Sequence, residues 1–205
     1  MKKEINIALM GNPNTGKSTI FNSLTGLRQH VGNYPGVTIE KREGSFEHQG
    51  RNVKVFDLPG TYSLTAYSPE EIIARNFIIN EKPDVVVDIL DSGNLERNLY
   101  LAVQIMELKI PLILVFNMSD EAEKKGIDIS YECFSKLLGV PIVKTVGHKG
   151  EGIVELKNKV VDVSINGLKT DFKRVEYGKE ISSAITRLSN MLVQSDGREK
   201  KILNG

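Results

Sequence analysis

The chain has 205 residues, 27 Lys and Arg against 26 Asp and Glu for a net charge of +1, and 40% hydrophobic residues. That length suits one α/β domain with a small appendage and excludes two large domains. The balanced charge supplies no overall field to draw nucleic acid or an anionic membrane, and a single cysteine, Cys133, excludes a disulfide framework or a zinc cluster.

The first apolar run, Ile5 to Met10, reads as a buried strand. It is followed by a glycine-bounded loop and a helix in which Ile20, Phe21 and Leu24 share a face. Residues 26–38 contain Gly32, Asn33, Pro35 and Gly36 without a sustained period and read as a loop. Residues 39–47 and 51–57 form a hairpin about Gln49-Gly50-Arg51, and a second loop runs from Leu58 to Ser68. Helix and strand then alternate three times: helices near 69–80, 94–108 and 130–138 lead to strands at 84–90, 111–116 and 141–144. This grammar predicts a mostly parallel sheet of six to seven strands flanked by helices. A helix over 152–163 completes the unit, and the polar link 166–173 leads to a further amphipathic helix at 177–192. The expected division is therefore 1–166 and 167–205. No stretch reaches the roughly 18 to 20 apolar residues of a membrane helix, so the chain as given is expected to be soluble.

Cys133 lies in an amphipathic stretch, where a buried small hydrophobe is expected, in a reducing compartment. His30, His48 and His148 have no ligand spacing and read as surface or loop residues. Glu70 and Glu71 suit the first turn of a helix.

Three segments carry chemistry. Gly11-Asn12-Pro13-Asn14-Thr15-Gly16-Lys17-Ser18, continuing into Thr19, matches the phosphate-loop pattern of two spaced glycines followed by Lys and a hydroxyl residue. Backbone N–H groups and a helix start cradle an anion there, and Gly16 lets the backbone approach it closely. Lys17 reaches the β and γ phosphates, and Ser18 offers a hydroxyl to Mg²⁺. Asp57-Leu58-Pro59-Gly60 ends a strand, so its carboxylate can act on the metal through water while the Gly60 amide meets a γ-phosphate. Asn117-Met118-Ser119-Asp120 follows an apolar strand at the edge where α/β sheets bind ligands. A carboxylate at Asp120 accepts from guanine N1–H and its 2-amino group, whereas adenine would leave it unpaired. Asn and Asp are also good helix caps, and that bland role stays open on these residues alone.

The loop 31–40, the string Asp57-Leu58-Pro59-Gly60-Thr61-Tyr62-Ser63-Leu64 and the string Asn94-Leu95-Glu96-Arg97-Asn98-Leu99-Tyr100-Leu101 resemble the cytosolic G domain of the ferrous iron transport protein B family. The likeness runs from about residue 4 to 165. It implies a Ras-like phosphate-loop fold followed by the start of a helical domain, and slow, K⁺-stimulated hydrolysis of GTP to GDP. It also implies a place on the cytoplasmic face of the cell membrane, joined to a permease in the same polypeptide, with a homo-oligomer left open and no nucleic-acid partner. Loops 28–40 and 58–68 would be the switches, with Gly36, Val37 and Thr38 at the nucleotide and the Thr38 hydroxyl on Mg²⁺. K⁺ would be held by Asn14 with the backbone carbonyls of Gly32 and Tyr34. Asn14, Lys17, Thr38 and Gly60 would serve hydrolysis; Thr61 stands where many G proteins carry a water-positioning carboxamide. The second base-contacting loop departs from the usual Ser-Ala pair. It reads Thr145-Val146-Gly147, with Gly147 at the position whose amide meets guanine O6, which predicts a loose base grip and rapid GDP release. A GTPase of ribosome assembly or RNA modification, or a nucleotide kinase, remains the alternative, though neither a basic patch nor a substrate lid is visible.

Overall fold

The computed structural model describes residues 4–26 and 28–167. The helix expected at 177–192 lies outside them. Seven strands form one sheet: β1 (Glu4–Gly11), β2 (Gln29–Asn33), β3 (Glu40–His48), β4 (Arg51–Asp57), β5 (Val85–Asp91), β6 (Leu112–Asn117) and β7 (Ile142–Lys144). Their order is β2-β3-β4-β1-β5-β6-β7, antiparallel in β2-β3-β4 and parallel from β4 onward. The helices are α1 (Lys17–Thr25), α2 (Pro69–Glu81), α3 (Leu95–Glu107), α4 (Ser119–Lys124), α5 (Tyr131–Leu138) and α6 (Ile153–Asn166).

Strand alternation sorts the core into two layers. Ile7 and Leu9, Val53 and Val55, Val85 to Ile89 in alternate places, Ile113 and Val115 pack with Ile20, Phe21 and Leu24 of α1 and Leu156 and Val160 of α6. The other face meets α2, α3 and α5: Phe56 lies on Phe77 of α2 and Phe116 on Phe134 of α5, with centroids 5.0 and 5.5 Å apart. Phe56 and Phe77 are half-buried, whereas each fully buried side chain of this core contributes roughly 1.5–3 kcal/mol.

The expected hairpin closes through two left-handed residues, Gln49 at φ 48° and Gly50 at φ 69°, the conformation whose twist matches the flanking strands. The α2 start, where Glu70 and Glu71 fall in the first turn as expected, is capped by Ser68, whose Oγ accepts from the Glu71 amide at 3.2 Å.

Three expectations change. Residues 26–38 are not all loop, because 29–33 form edge strand β2, paired from Gln29↔Gly44 to Asn33↔Glu40. All five of its residues are exposed, so no buried face imposed a period of two. Helix α4 was hidden by its shortness and polarity. Cys133 is exposed rather than buried, since the α5 stripe runs through Phe134 and Leu138 and Cys133 falls beside it.

One buried group lacks compensation. Asp88, in the middle of β5 between Met10 and Leu114, is 1% exposed and neither carboxyl oxygen has a hydrogen-bond partner among the described residues. Burial raises its pKa from 3.8 to about 8. The folded chain therefore keeps a proton that the unfolded chain releases, and this group's contribution to stability falls as pH rises from about 4 to about 8. Asp88→Asn should flatten the pH dependence of the urea midpoint across that window relative to wild type. An unchanged slope would show that Asp88 is ionised in the fold.

Candidate functional site

The ends of β1, β4, β6 and β7 lie along one edge of the sheet, where order reverses about the central β1 and where α/β sheets place their ligands. Asn12, Pro13, Asn14, Gly16, Lys17, Ser18, Thr19 and Gly60 line a cleft of about 400 Å³ there. The loop turns sharply: Gly11 has φ 154°, Asn14 φ 68° and Gly16 φ 82°. Asn is among the few residues that tolerate the left-handed region, so position 14 has a backbone reason for its identity. Its side chain is exposed and makes no hydrogen bond among the described residues.

Lys17 and Asp57 form a nearly buried ion pair, with side chains 12% and 5% exposed. Two of the groups that the sequence assigns to phosphate and metal thus converge from different elements. Ser18 and Asp57 offer the hard oxygens Mg²⁺ favours. Asn12 Oδ1 is buried without a partner among the described residues, while its Nδ2 donates to the Arg97 carbonyl at 3.4 Å.

Asn117 organises the other half. It ends β6, and Met118, left-handed at φ 57°, turns the chain into α4. Asn117 Nδ2 donates to the Thr15 carbonyl at 2.9 Å, and its Oδ1 accepts from Thr145 Oγ1 at 3.1 Å and from the Gly147 amide at 2.9 Å. A Cβ at Gly16 would come within 2.3 Å of Asn117 Nδ2. The glycine is therefore required by the Asn117 side chain itself, beyond any close approach to phosphate.

Gly147 is confined less tightly: a Cβ there would meet Ile20 Cδ1 at 2.9 Å and Asn117 Oδ1 at 3.2 Å. Its amide already has a partner in Asn117. Ser119, fully buried, donates from Oγ to the Thr145 carbonyl at 3.1 Å and ties the start of α4 to this loop.

Asp120 lies in the first turn of α4 with its side chain 14% exposed. Lys149 Nζ stands 3.0 Å from Oδ2 and His148 Nε2 3.9 Å from the same oxygen. The hydrogen bond from Lys149 holds the Asp120 carboxyl below its ordinary range. Its Oδ1 is buried with no partner among the described residues.

The switch-side residues divide. Gly60 lines the cleft, and a Cβ there would meet only Pro13 at an ordinary 3.5 Å, so packing within the chain does not demand glycine. Thr61 is turned inward, its amide on the Gly11 carbonyl at 3.2 Å and its Oγ1 on the Ser63 carbonyl at 2.8 Å. Glu71 gathers the rest of the 58–68 loop: it accepts from Ser63 Oγ (2.7 Å), Thr65 Oγ1 (3.1 Å) and the Tyr67 amide (2.9 Å). Burial opposes that charge, yet the Ser63, Tyr67 and Thr65 hydrogen bonds leave the carboxyl below its usual range. Gln104 Oε1 takes the Leu64 amide at 2.6 Å, and Arg97 lies 4.1 Å from the Tyr62 ring centre.

By contrast, Gly32 lies in β2, and Gly36, Val37 and Thr38 are exposed in the β2–β3 connection; none of them lines the cleft. The Tyr34 carbonyl accepts from the Val37 amide at 3.3 Å. The Tyr34 ring is half-buried, and burial together with the Asp57 and Glu43 carboxylates pushes its phenol up to about 12. The sequence had singled out only its backbone.

Among the described residues no group of three or more His, Cys, Asp or Glu could hold a metal ion, and no helix is long and apolar enough to cross a membrane.

Removing the Asn117 carboxamide would strand the buried Thr145 hydroxyl and Gly147 amide. Asn117→Ala should therefore lose about 2–4 kcal/mol of unfolding free energy without any nucleotide present, read by urea titration. Wild-type stability in that variant would show that Asn117 acts only on a ligand.

The family model described as ferrous iron transport protein B matches residues 5–160. The chain is 44% identical over 190 residues to an Fe(2+) transport protein A/Fe(2+) transporter FeoB fusion protein of Porphyromonas gingivalis, covering 92% of this chain and 22% of that one. It is 48% identical over 159 residues to the Fe(2+) transporter FeoB of Escherichia coli, covering 76% and 21% respectively. It therefore spans about a fifth of the length of these relatives. Among solved structures, the cytosolic domain of T. maritima FeoB in a GDP form superposes with a TM-score of 0.82 at 40% identity, covering 94% of this chain and 76% of that one. The G domain of Methanococcus jannaschii FeoB gives 0.70 at 49% identity, covering 80% and 99%. On this match across three quarters of its length, the chain belongs to the ferrous iron transport protein B family.

Proposed function

We propose that this chain is the GTP-binding and GTP-hydrolysing domain of a ferrous iron transporter, a nucleotide switch coupled to Fe²⁺ uptake through a permease portion of a longer polypeptide at the membrane. The observation that carries the proposal is the Asn117 side chain, which ties the loop after β1 to the loop after β7 and leaves Asp120 one turn away. Phosphate binding and base reading then belong to one rigid unit. The T. maritima relatives were solved in GDP and GMPPNP forms, which agrees with it.

In this proposal residues 1–166 are the nucleotide domain and 167–205 begin a helical one. Asp120 selects guanine over adenine, because adenine would leave a carboxylate without donors. Lys17 and the backbone amides of Gly11 to Ser18 hold the phosphates, so that Lys17 exchanges its Asp57 partner for phosphate oxygens. Ser18, Asp57 and, after rearrangement of the β2–β3 connection, Thr38 would hold Mg²⁺, which supplies charge neutralisation at the β and γ phosphates. Asn14, with the Gly32 and Tyr34 carbonyls, would hold K⁺, which supplies positive charge where an arginine finger otherwise acts. The unengaged Asn14 side chain on the cleft wall supports that assignment, and the inward Thr61 leaves no carboxamide at that position to orient water.

Turnover of GTP and ATP in KCl and in NaCl tests these assignments together. Wild type should hydrolyse GTP in preference to ATP and run about tenfold faster in KCl, a barrier difference of about 1.4 kcal/mol. Asn14→Ala should erase the difference between salts. Equal wild-type rates in the two salts would reject the K⁺ site, and equal use of ATP would reject the base assignment.

A further inference from the structure

The base-reading carboxylate already has a cation on it. Lys149 Nζ donates to Asp120 Oδ2 at 3.0 Å, with His148 Nε2 3.9 Å from the same atom. The backbone that presents Lys149 is fixed: a single 3-10 turn, Gly147–Lys149, is anchored by the Gly147 amide on Asn117 and the Lys149 amide on the Val146 carbonyl at 2.9 Å. Gly150, left-handed at φ 74°, ends the turn. The Lys149 side chain itself is 46% exposed, so it can swing away without disturbing that frame.

Guanine offers two donors side by side, N1–H and the 2-amino group, and their natural acceptor is the pair of carboxylate oxygens. Asp120 Oδ1 has no partner among the described residues, whereas Oδ2 is covered and the side chain keeps only 14% of its surface open. With Oδ1 buried, a base that sets two donors on this carboxylate competes with Lys149 for Oδ2 more fully than a base with one donor.

We propose that Lys149 is a specificity-determining competitor for the base: its ammonium occupies one of the two Asp120 oxygens that guanine requires, and guanine nucleotides bind by displacing it. This weakens guanine binding, speeds release, and narrows the advantage of guanine over hypoxanthine, which lacks the 2-amino group. It rests on Asp120 reading guanine. It also locates the loose grip expected of this loop in the residue beyond the Val146-Gly147 departure.

Equilibrium binding and dissociation rates of GDP and IDP, measured on the full chain for wild type, Lys149→Met and Lys149→Arg, test it. An exposed ion pair is a modest competitor, so Lys149→Met should tighten GDP by about three- to tenfold through slower release. IDP should tighten less than GDP, and Lys149→Arg, which keeps a cation on Asp120, should behave as wild type. Unchanged or weaker GDP binding in Lys149→Met would overturn the proposal, as would equal tightening of GDP and IDP, which marks a general effect on the loop. Wild type binding ADP as well as GDP would instead remove the guanine assignment on which the proposal stands.

Discussion

One buried carboxamide decides how this molecule is put together at its functional edge. Asn117 donates to the Thr15 carbonyl and accepts from Thr145 and Gly147, so the loop after β1 cannot move independently of the loop after β7. In a site where every partner is buried, losing one leaves several polar groups without hydrogen bonds, which makes the arrangement all-or-none. Gly16 has no room for a side chain because Asn117 fills it, and Met118, left-handed, turns the chain from Asn117 into α4. The missing Cβ at Gly16 is a consequence of that single contact.

The side facing the 58–68 loop is fastened differently. Its bonds run through Glu71, Gln104 and the Arg97–Tyr62 stack, several of them exposed, and the β2–β3 connection carries little besides its own turn. Local opening follows the weakest fastening, so these two segments are expected to open before the Asn117 half does. That asymmetry is what a nucleotide switch needs: a rigid grip on one end of the ligand and adjustable contacts at the other.

Most of the architecture was legible in the sequence because its signals are local. The glycine spacing about Lys17, the two-residue turn at Gln49-Gly50 and the apolar strands β5 and β6 each announce themselves within a few residues. What escaped depends on contacts between distant segments or on surfaces that need no pattern. β2 is exposed throughout and gains its geometry only by pairing with β3. The requirement at Gly16 comes from a side chain a hundred residues away, and the pairing of Lys149 with Asp120 joins two loops whose order along the chain gives no hint of contact. The Arg97 string carried the family likeness without a stated role; its carbonyl meets Asn12 and its guanidinium meets Tyr62, so it links the cleft wall to the 58–68 loop.

The central claim is that Asp120 reads the base by accepting two donors. Xanthine differs from guanine by a carbonyl in place of the 2-amino group, so it presents an acceptor where guanine presents a donor. Binding of GDP and XDP to wild type and to Asp120→Asn therefore isolates this one contact. Wild type should prefer GDP by about tenfold to a hundredfold, the worth of a hydrogen bond to a charged group, and Asp120→Asn, whose carboxamide is neutral, should prefer XDP by about threefold to tenfold. An Asp120→Asn protein that keeps the wild-type preference for GDP would contradict the account.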